Sequence, residues 1–230
     1  MSKLNNIGPL SIISYFSFTL IFFIIKNKIG LERGITWIIV FFMITFIIQF
    51  MNNVYLTHLM CGNTNMPSAF FNTLIPWSLI FGSSTLMLIL IPGWVRVFSN
   101  TFGFMVAQWA GLSEVVTDLF INQSTTTITD LNLQKTIEII LNSKTKIINE
   151  VNLNDYSKNG ENVIWPSLGM IFTYMNIAQP STEKMIKLYN LLVLKEDIGY
   201  FIWFILIGTI SILVSTNSVL ISKCSGSESF

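Results

Sequence analysis

The chain has 230 residues, of which 52% are hydrophobic and only 11% charged, with a formal net charge of +1. About a quarter of the residues of an ordinary soluble domain are charged, so this composition excludes such a domain and points to a polytopic membrane protein. Two widely separated cysteines, Cys61 and Cys224, make neither a metal signature nor a disulfide scaffold.

Residues 1–6 are short and polar. The first predicted span runs over 7–25, with Pro9 in its first turn, where a missing N–H costs nothing. Lys26, Asn27 and Lys28 follow in place of the small-residue site at which a signal peptide would be cut, so this segment is expected to stay in the chain. The turn over 26–34 carries Lys26, Lys28 and Arg33 against one acid, Glu32. The second span is expected over 35–51. Its β-branched residues would suit a strand in water, but a lone strand leaves its edges unpaired in lipid, so helix wins.

Residues 52–73 hold no Lys or Arg and read as a loop with His58, Cys61, Gly62, Asn65 and Pro67. The third span is expected over 74–94, 21 residues without a charge, or roughly 30 Å of helix, the thickness of a bilayer's hydrocarbon. Trp77 and Trp94 stand near its ends, where tryptophan favours the headgroup level. Gly82, Ser83 and Ser84 sit mid-span as small residues that let another helix approach.

Over 95–120, Phe98, Phe102, Met105, Trp109, Leu112 and Val116 recur at helical spacing, while Asn100, Gln108, Glu114 and Asp118 keep the stretch from being apolar all round. An amphipathic helix in the interface fits best; packing into the aqueous part and a short extra span over 102–119 are the alternatives. The only sizeable aqueous segment is 121–198. It reads as a helix over 128–148, an Asn-rich loop over 151–162, an apolar stretch over 163–176 too short to be a clean span, and a helix over 181–194 with Ser181 as N-cap. The last span is expected over 199–221, with Tyr200 and Trp203 at its near interface, and 222–230 is a polar tail.

The expected fold is therefore all-α: a polytopic helical membrane protein with four transmembrane helices and a small helical aqueous segment. It divides into 1–94 with three spans, 95–120 interfacial, 121–198 aqueous, 199–221 as fourth span and 222–230 as tail. Basic residues in the first loop and their absence from 52–73 put the first loop inside, 52–73 outside and 95–198 inside. A fifth span at 102–119 would break that parity. Cys61 and Cys224 then share a side and can pair only if it is oxidising; nothing in the sequence fixes their approach.

Little chemistry is on offer. The sequence has no Gly-rich phosphate loop, HExxH, paired cysteines or nucleophile elbow, so no catalytic, cofactor-binding or metal-ligating residue is assigned and the chain is not expected to be an enzyme. His58 and Cys61 could supply two metal ligands or a nucleophile pair, but no further ligands are evident. Transporters usually place acids or bases inside the membrane; here Thr45, Gln49, Ser83 and Ser84 are the most polar span residues and read as contacts between helices. Asn122-Gln123-Ser124 matches a glycosylation acceptor but falls on the inside. No basic run suggests nucleic acid.

Three short motifs remain. They are Cys61-Gly62 in the loop, Pro92-Gly93-Trp94 ending the third span, and Ser99-Asn100-Thr101-Phe102-Gly103-Phe104 after it. Together with the early hydrophobic hairpin, residues 35–110 resemble a family of integral inner-membrane virion proteins of large nucleocytoplasmic DNA viruses. Phe104 stands where that pattern has a tyrosine, keeping the ring and losing the hydroxyl. The resemblance implies a structural protein of the virion's internal membrane beneath an icosahedral capsid, with the lipid bilayer and other virion membrane or capsid proteins as partners. A small channel or transporter is the alternative. Proline and glycine before Trp94, and Arg96 after it at headgroup level, suit a chain that turns from crossing the membrane to lying along it.

Overall fold

The computed structural model describes residues 7–29, 35–91, 93–120, 148–149, 151–160, 162–174 and 179–222. The expected helix over 128–148 apart from its last residue, the Asn122 acceptor and Cys224 lie outside them. In chain order the elements are α1 (Ile7–Ile29), α2 (Ile35–Cys61), α3 (Met66–Pro76), a π-helical turn (Trp77–Gly82) and α4 (Ser83–Leu90). Next come α5 (Gly93–Phe98), a second π-helical turn (Ser99–Gly103), α6 (Phe104–Trp109) and α7 (Leu112–Phe120). A 3₁₀ turn (Leu153–Asp155), a hairpin of β1 (Ser157–Asn159) and β2 (Asn162–Ile164), α8 (Pro166–Tyr174) and α9 (Thr182–Ile221) complete them. Among the described residues four helices are long and apolar enough to cross a membrane: α1, α2, the continuous run Met66–Leu90 and α9. The chain packs as two compact units, residues 1–95 with 200–230, and residues 96–199.

The first unit has an aromatic centre. Phe41 of α2 meets Phe204 of α9 with ring centroids 5.0 Å apart, and Phe81 stacks on Phe204 at 5.5 Å and on Trp77 at 4.8 Å. Leu10, Ile13, Ile47, Leu79 and Leu90 point outward and exposed. In water such a surface would aggregate; against lipid tails it is the ordinary exterior of a spanning helix.

Three expectations for this unit need correction. Residues 52–73 are not a loop: α2 continues to Cys61 and α3 begins at Met66, leaving a turn of 62–65. Gly62 takes a left-handed φ of 68° there and donates its N–H to the His58 carbonyl at 2.9 Å. The Asn65 side chain then caps α3 by accepting from the Ser68 N–H at 3.1 Å, with Pro67 in the first turn. Trp77 is not an interfacial anchor, because with the helix starting at Met66 it lies mid-helix, wholly buried in the aromatic centre. It follows Pro76, whose missing N–H breaks the regular ladder and accounts for the π turn. Finally, Ser83 does not line a helix contact. It is exposed, and its hydroxyl donates to its own helix at the Leu79 carbonyl.

At the basic end of this unit Lys26 Nζ sits 4.7 Å from the centroid of the Trp37 ring. Trp37 packs edge-on to Tyr200 at 5.2 Å, and Trp94 lies 5.7 Å from Trp203. These rings gather at the basic end of the helices, where Lys26 and Trp37 are buried against each other.

The second unit has its own apolar core, in which Ala107, Leu112, Val116, Leu119, Leu168, Phe172, Leu188 and Leu192 are buried. The stretch 95–120 was expected to present one continuous apolar face to the interface; it splits instead. The helix breaks at Ala110-Gly111, where Gly111 has φ 97°. Beyond that break Leu112 and Val116 turn into the core, while Phe102, Met105 and Trp109 before it stay exposed. The loop expected over 151–162 contains the hairpin, turned at Gly160 with φ 61°. Asp155 accepts the Ser167 N–H at 2.8 Å, which starts α8 after Pro166. Tyr156 stacks on Tyr189 at 3.7 Å, and Trp165 closes over both rings.

The helix expected over 181–194 and the span expected over 199–221 are one helix, α9, of 40 residues. The charged residues between the two expected helices, Lys195, Glu196 and Asp197, are themselves helical. Forty residues make about 60 Å of helix, twice the hydrocarbon thickness. The charged turn therefore lies on the part before the membrane, and 200–221 makes the crossing.

Candidate functional site

Two built features stand out. The first is a polar seam among the spanning helices. Gln49 Nε2 on α2 donates to Asn53 Oδ1 at 3.2 Å. The Asn53 amide donates one hydrogen to Thr73 Oγ1 of α3 at 2.7 Å and the other to Ser215 Oγ of α9 at 2.6 Å. Ser215 passes its own hydrogen to the Asn72 carbonyl at 2.9 Å, and Ser218 donates to Asn72 Oδ1 at 2.7 Å. Gln49, Asn53, Thr73 and Ser215 are all buried. Asn53 therefore ties three helices through one side chain. Gln49 was expected to contact another helix, but its bond stays within α2 and it reaches the other helices only through Asn53. Thr45 returns its hydroxyl to the Phe41 carbonyl of its own helix at 2.8 Å and joins no other helix. Asn53, Thr73 and Ser215 escaped the sequence reading because the first two fell in a supposed loop and the third looked like one polar residue among many.

Each interhelical hydrogen bond in a membrane contributes about 0.6 kcal/mol, up to roughly 1.7. Asn53→Leu keeps the branching at Cγ and the number of side-chain heavy atoms, and removes two such links. It also leaves the Gln49 amide without its acceptor. The expected loss is about 1–2 kcal/mol, read as a lower thermal midpoint of the detergent-solubilised protein, with helix content unchanged.

The second feature is the helix crossing in the 96–199 unit. Ser99 and Gly103, one turn apart, face Gly199 and Lys195 of α9 in antiparallel register. A Cβ at position 103 would overlap the Lys195 carbonyl oxygen, and one at 199 would come within 2.9 Å of the Ser99 Cβ and amide nitrogen. Only glycine allows the two backbones this close. The crossing buries Lys195, whose Nζ donates to Asn149 Oδ1 at 2.6 Å. Burial, with a smaller push from the Arg96 charge, lowers the Lys195 pKa to about 8.

That shift sets a pH dependence. The folded chain releases the Lys195 proton near pH 8, whereas the unfolded chain holds it up to the ordinary lysine value. Between those points the unfolded state binds more protons, so stability rises with pH. Below pH 8 both states are charged and the cost of the buried ammonium is constant. Unfolding midpoints measured from about pH 7 to about pH 10 should climb in the native chain, and Lys195→Met should flatten the slope.

His58 is exposed on the last turn of α2, and Cys61 is disulfide-bonded, so the pair cannot serve as metal ligands or as a nucleophile and base. Among the described residues no group of three or more His, Cys, Asp or Glu side chains is placed to hold a metal ion. In the second unit Lys184 pairs with Asp118 at 2.6 Å, half-exposed and thus weakly.

These features define a polytopic helical membrane protein, with four apolar helices among the described residues, three of them tied by a buried polar seam, and a second unit with its own core. Comparison with family models, curated proteins and solved structures finds no match to this chain.

Proposed function

We propose that the chain is a structural protein of a virus particle's internal membrane, supporting that membrane beneath the capsid or linking the two. The motifs from Cys61-Gly62 to Phe104 supply the resemblance. The observation that carries the reading is the use made of Ser99 and Gly103. The two small residues of the Ser-Asn-Thr-Phe-Gly motif are spent on a helix crossing, which is an architectural role. On the far side of the same helix Phe102, Met105 and Trp109 are exposed, an apolar face suited to lipid or to another virion protein. A channel or transporter would need polar groups free to meet a solute; the seam of Gln49, Asn53, Thr73 and Ser215 is used up in bonds to one another or to backbone carbonyls, and the only hydroxyls buried in the described spans without a partner are those of Thr85 and Thr216.

Mass spectrometry of purified virus particles, combined with protease protection, tests this. The chain should be present in particles and become fully digestible only after the capsid and membrane are opened. Its absence from particles would overturn the proposal.

A further inference from the structure

Helices α2 and α9 run side by side and in the same direction through the first unit. Trp37 packs on Tyr200 with centroids 5.2 Å apart, and four residues later on each helix Phe41 packs on Phe204 at 5.0 Å. Farther along, Asn53 bonds Ser215 at 2.6 Å, twelve residues on from Phe41 and eleven on from Phe204. The register is thus kept, within one residue, along the shared length. Cys61 lies eight residues past Asn53 and ends α2. Cys224 lies nine past Ser215 in the sequence, and the chain still turns helically at Ser222, whose N–H donates to the Ser218 carbonyl at 3.1 Å. Counted from the Phe41–Phe204 contact, each cysteine stands twenty residues farther along its own member of the parallel pair, so the two are matched in sequence distance. Cys61 is disulfide-bonded, and the sequence holds one other cysteine.

We infer that Cys61 and Cys224 form an intramolecular disulfide that fastens the end of α9 to the α2–α3 turn, and that this end of the helix bundle faces an oxidising compartment. The bond forms by thiol–disulfide exchange with a donor protein carrying a reactive disulfide. One thiolate attacks a donor sulfur to give a mixed disulfide, and the second thiolate displaces the donor. Two electrons and two protons leave this chain, and the donor departs as a dithiol. The orientation has independent support from charge. Lys26 and Lys28 stand at the opposite end of α1, α2 and α9, where the basic loop marks the inner side. The disulfide and the basic residues therefore point the bundle the same way.

Acid-quenched membranes, denatured and treated with a polyethylene-glycol maleimide, report the thiol count whatever the fold of a variant. The native chain should take up no label before reduction and two after it, and Cys61→Ser should expose one thiol, that of Cys224, without reductant. Two labelled thiols in the unreduced native chain, a reductant-sensitive dimer, or a Cys224 still blocked in Cys61→Ser would overturn the pairing. For the orientation, Asn63→Cys and Lys28→Cys are each placed in a Cys61→Ser, Cys224→Ser background. An impermeant maleimide outside intact membranes should reach the first alone, the second reacting only after permeabilisation; labelling of both from one face, or of Lys28→Cys alone, would overturn it.

Discussion

Gly103→Ala is expected to lower the stability of the chain by about 1–3 kcal/mol, the usual cost of forcing extra volume into a packed contact. On propensity alone the change should help, since alanine is worth about 1 kcal/mol over glycine inside a helix. The sign reverses because the added methyl meets main chain. It would overlap the Lys195 carbonyl oxygen and stand 3.0 Å from the carbonyl carbon and 3.3 Å from Cα. A side chain could swing aside, but a carbonyl held in the hydrogen-bond ladder of α9 cannot, so the two helices must separate. Separation has its own signature. It lets water reach Lys195, whose lowered pKa comes first from burial. Gly103→Ala should therefore both lower the thermal midpoint and weaken the rise in stability above pH 8. A variant that lost stability but kept the full pH slope would show that the crossing had held and that the damage lay elsewhere.

The four membrane helices were legible because uncharged length is a signal that needs no partner. Their ends were not. His58, Cys61, Gly62, Asn65 and Pro67 made 52–73 look like a loop, and the polar Asn53 and Thr73 were taken into it. In the folded bundle Asn53 and Thr73 satisfy each other and Ser215, so the helices run on through them. That exchange joins residues 162 positions apart in sequence for the Asn53–Ser215 pair, and local pattern carries no trace of it. The same limit applied to the glycines. Gly82 with Ser83 and Ser84 looked like the close-approach site, yet Gly82 meets only its own helix, at the Trp77 carbonyl, while Gly103, Gly199 and Gly208 meet other helices. Composition can say that a small residue permits an approach; which glycine is used depends on what packs opposite.

The expected apolar face over 98–116 failed for a related reason. Helical periodicity placed Phe102, Met105, Trp109, Leu112 and Val116 in one row on the assumption of an unbroken helix. The break at Ala110-Gly111 rotates α7 relative to α6, so one row serves two surfaces: an exterior face before the break and the core of the 96–199 unit after it. A positive φ at Gly111 permits that turn, and glycine makes it without strain.

Gly208→Ala is expected to have the largest effect in the membrane-spanning unit. Gly208 lies on α9 one turn beyond Phe204, and the Tyr15 ring of α1 lies directly over it. The Tyr15 hydroxyl reaches past the glycine to donate to the Phe204 carbonyl at 2.6 Å. A Cβ at 208 would run into the Tyr15 Cζ, hydroxyl oxygen and Cε1. Tyrosine is a side chain and can move, but here it is nearly enclosed, packed against Phe41 at 6.5 Å and edge-on to Trp77 at 6.4 Å. Displacing it forfeits the hydroxyl bond and disturbs the aromatic centre together, for about 1–3 kcal/mol from overpacking and up to roughly 1.7 from the lost interhelical bond. Tyr15→Phe separates the two contributions, since it removes the bond and keeps the ring, and should cost only the smaller part. Thermal unfolding in detergent of Gly208→Ala, Tyr15→Phe and the double variant gives the test. The double variant should fall no further than the sum of the two, and less than that sum if the methyl acts by breaking the bond that Tyr15→Phe has already removed. A Gly208→Ala variant as stable as the native chain would mean that α1 does not pack on α9 through Tyr15.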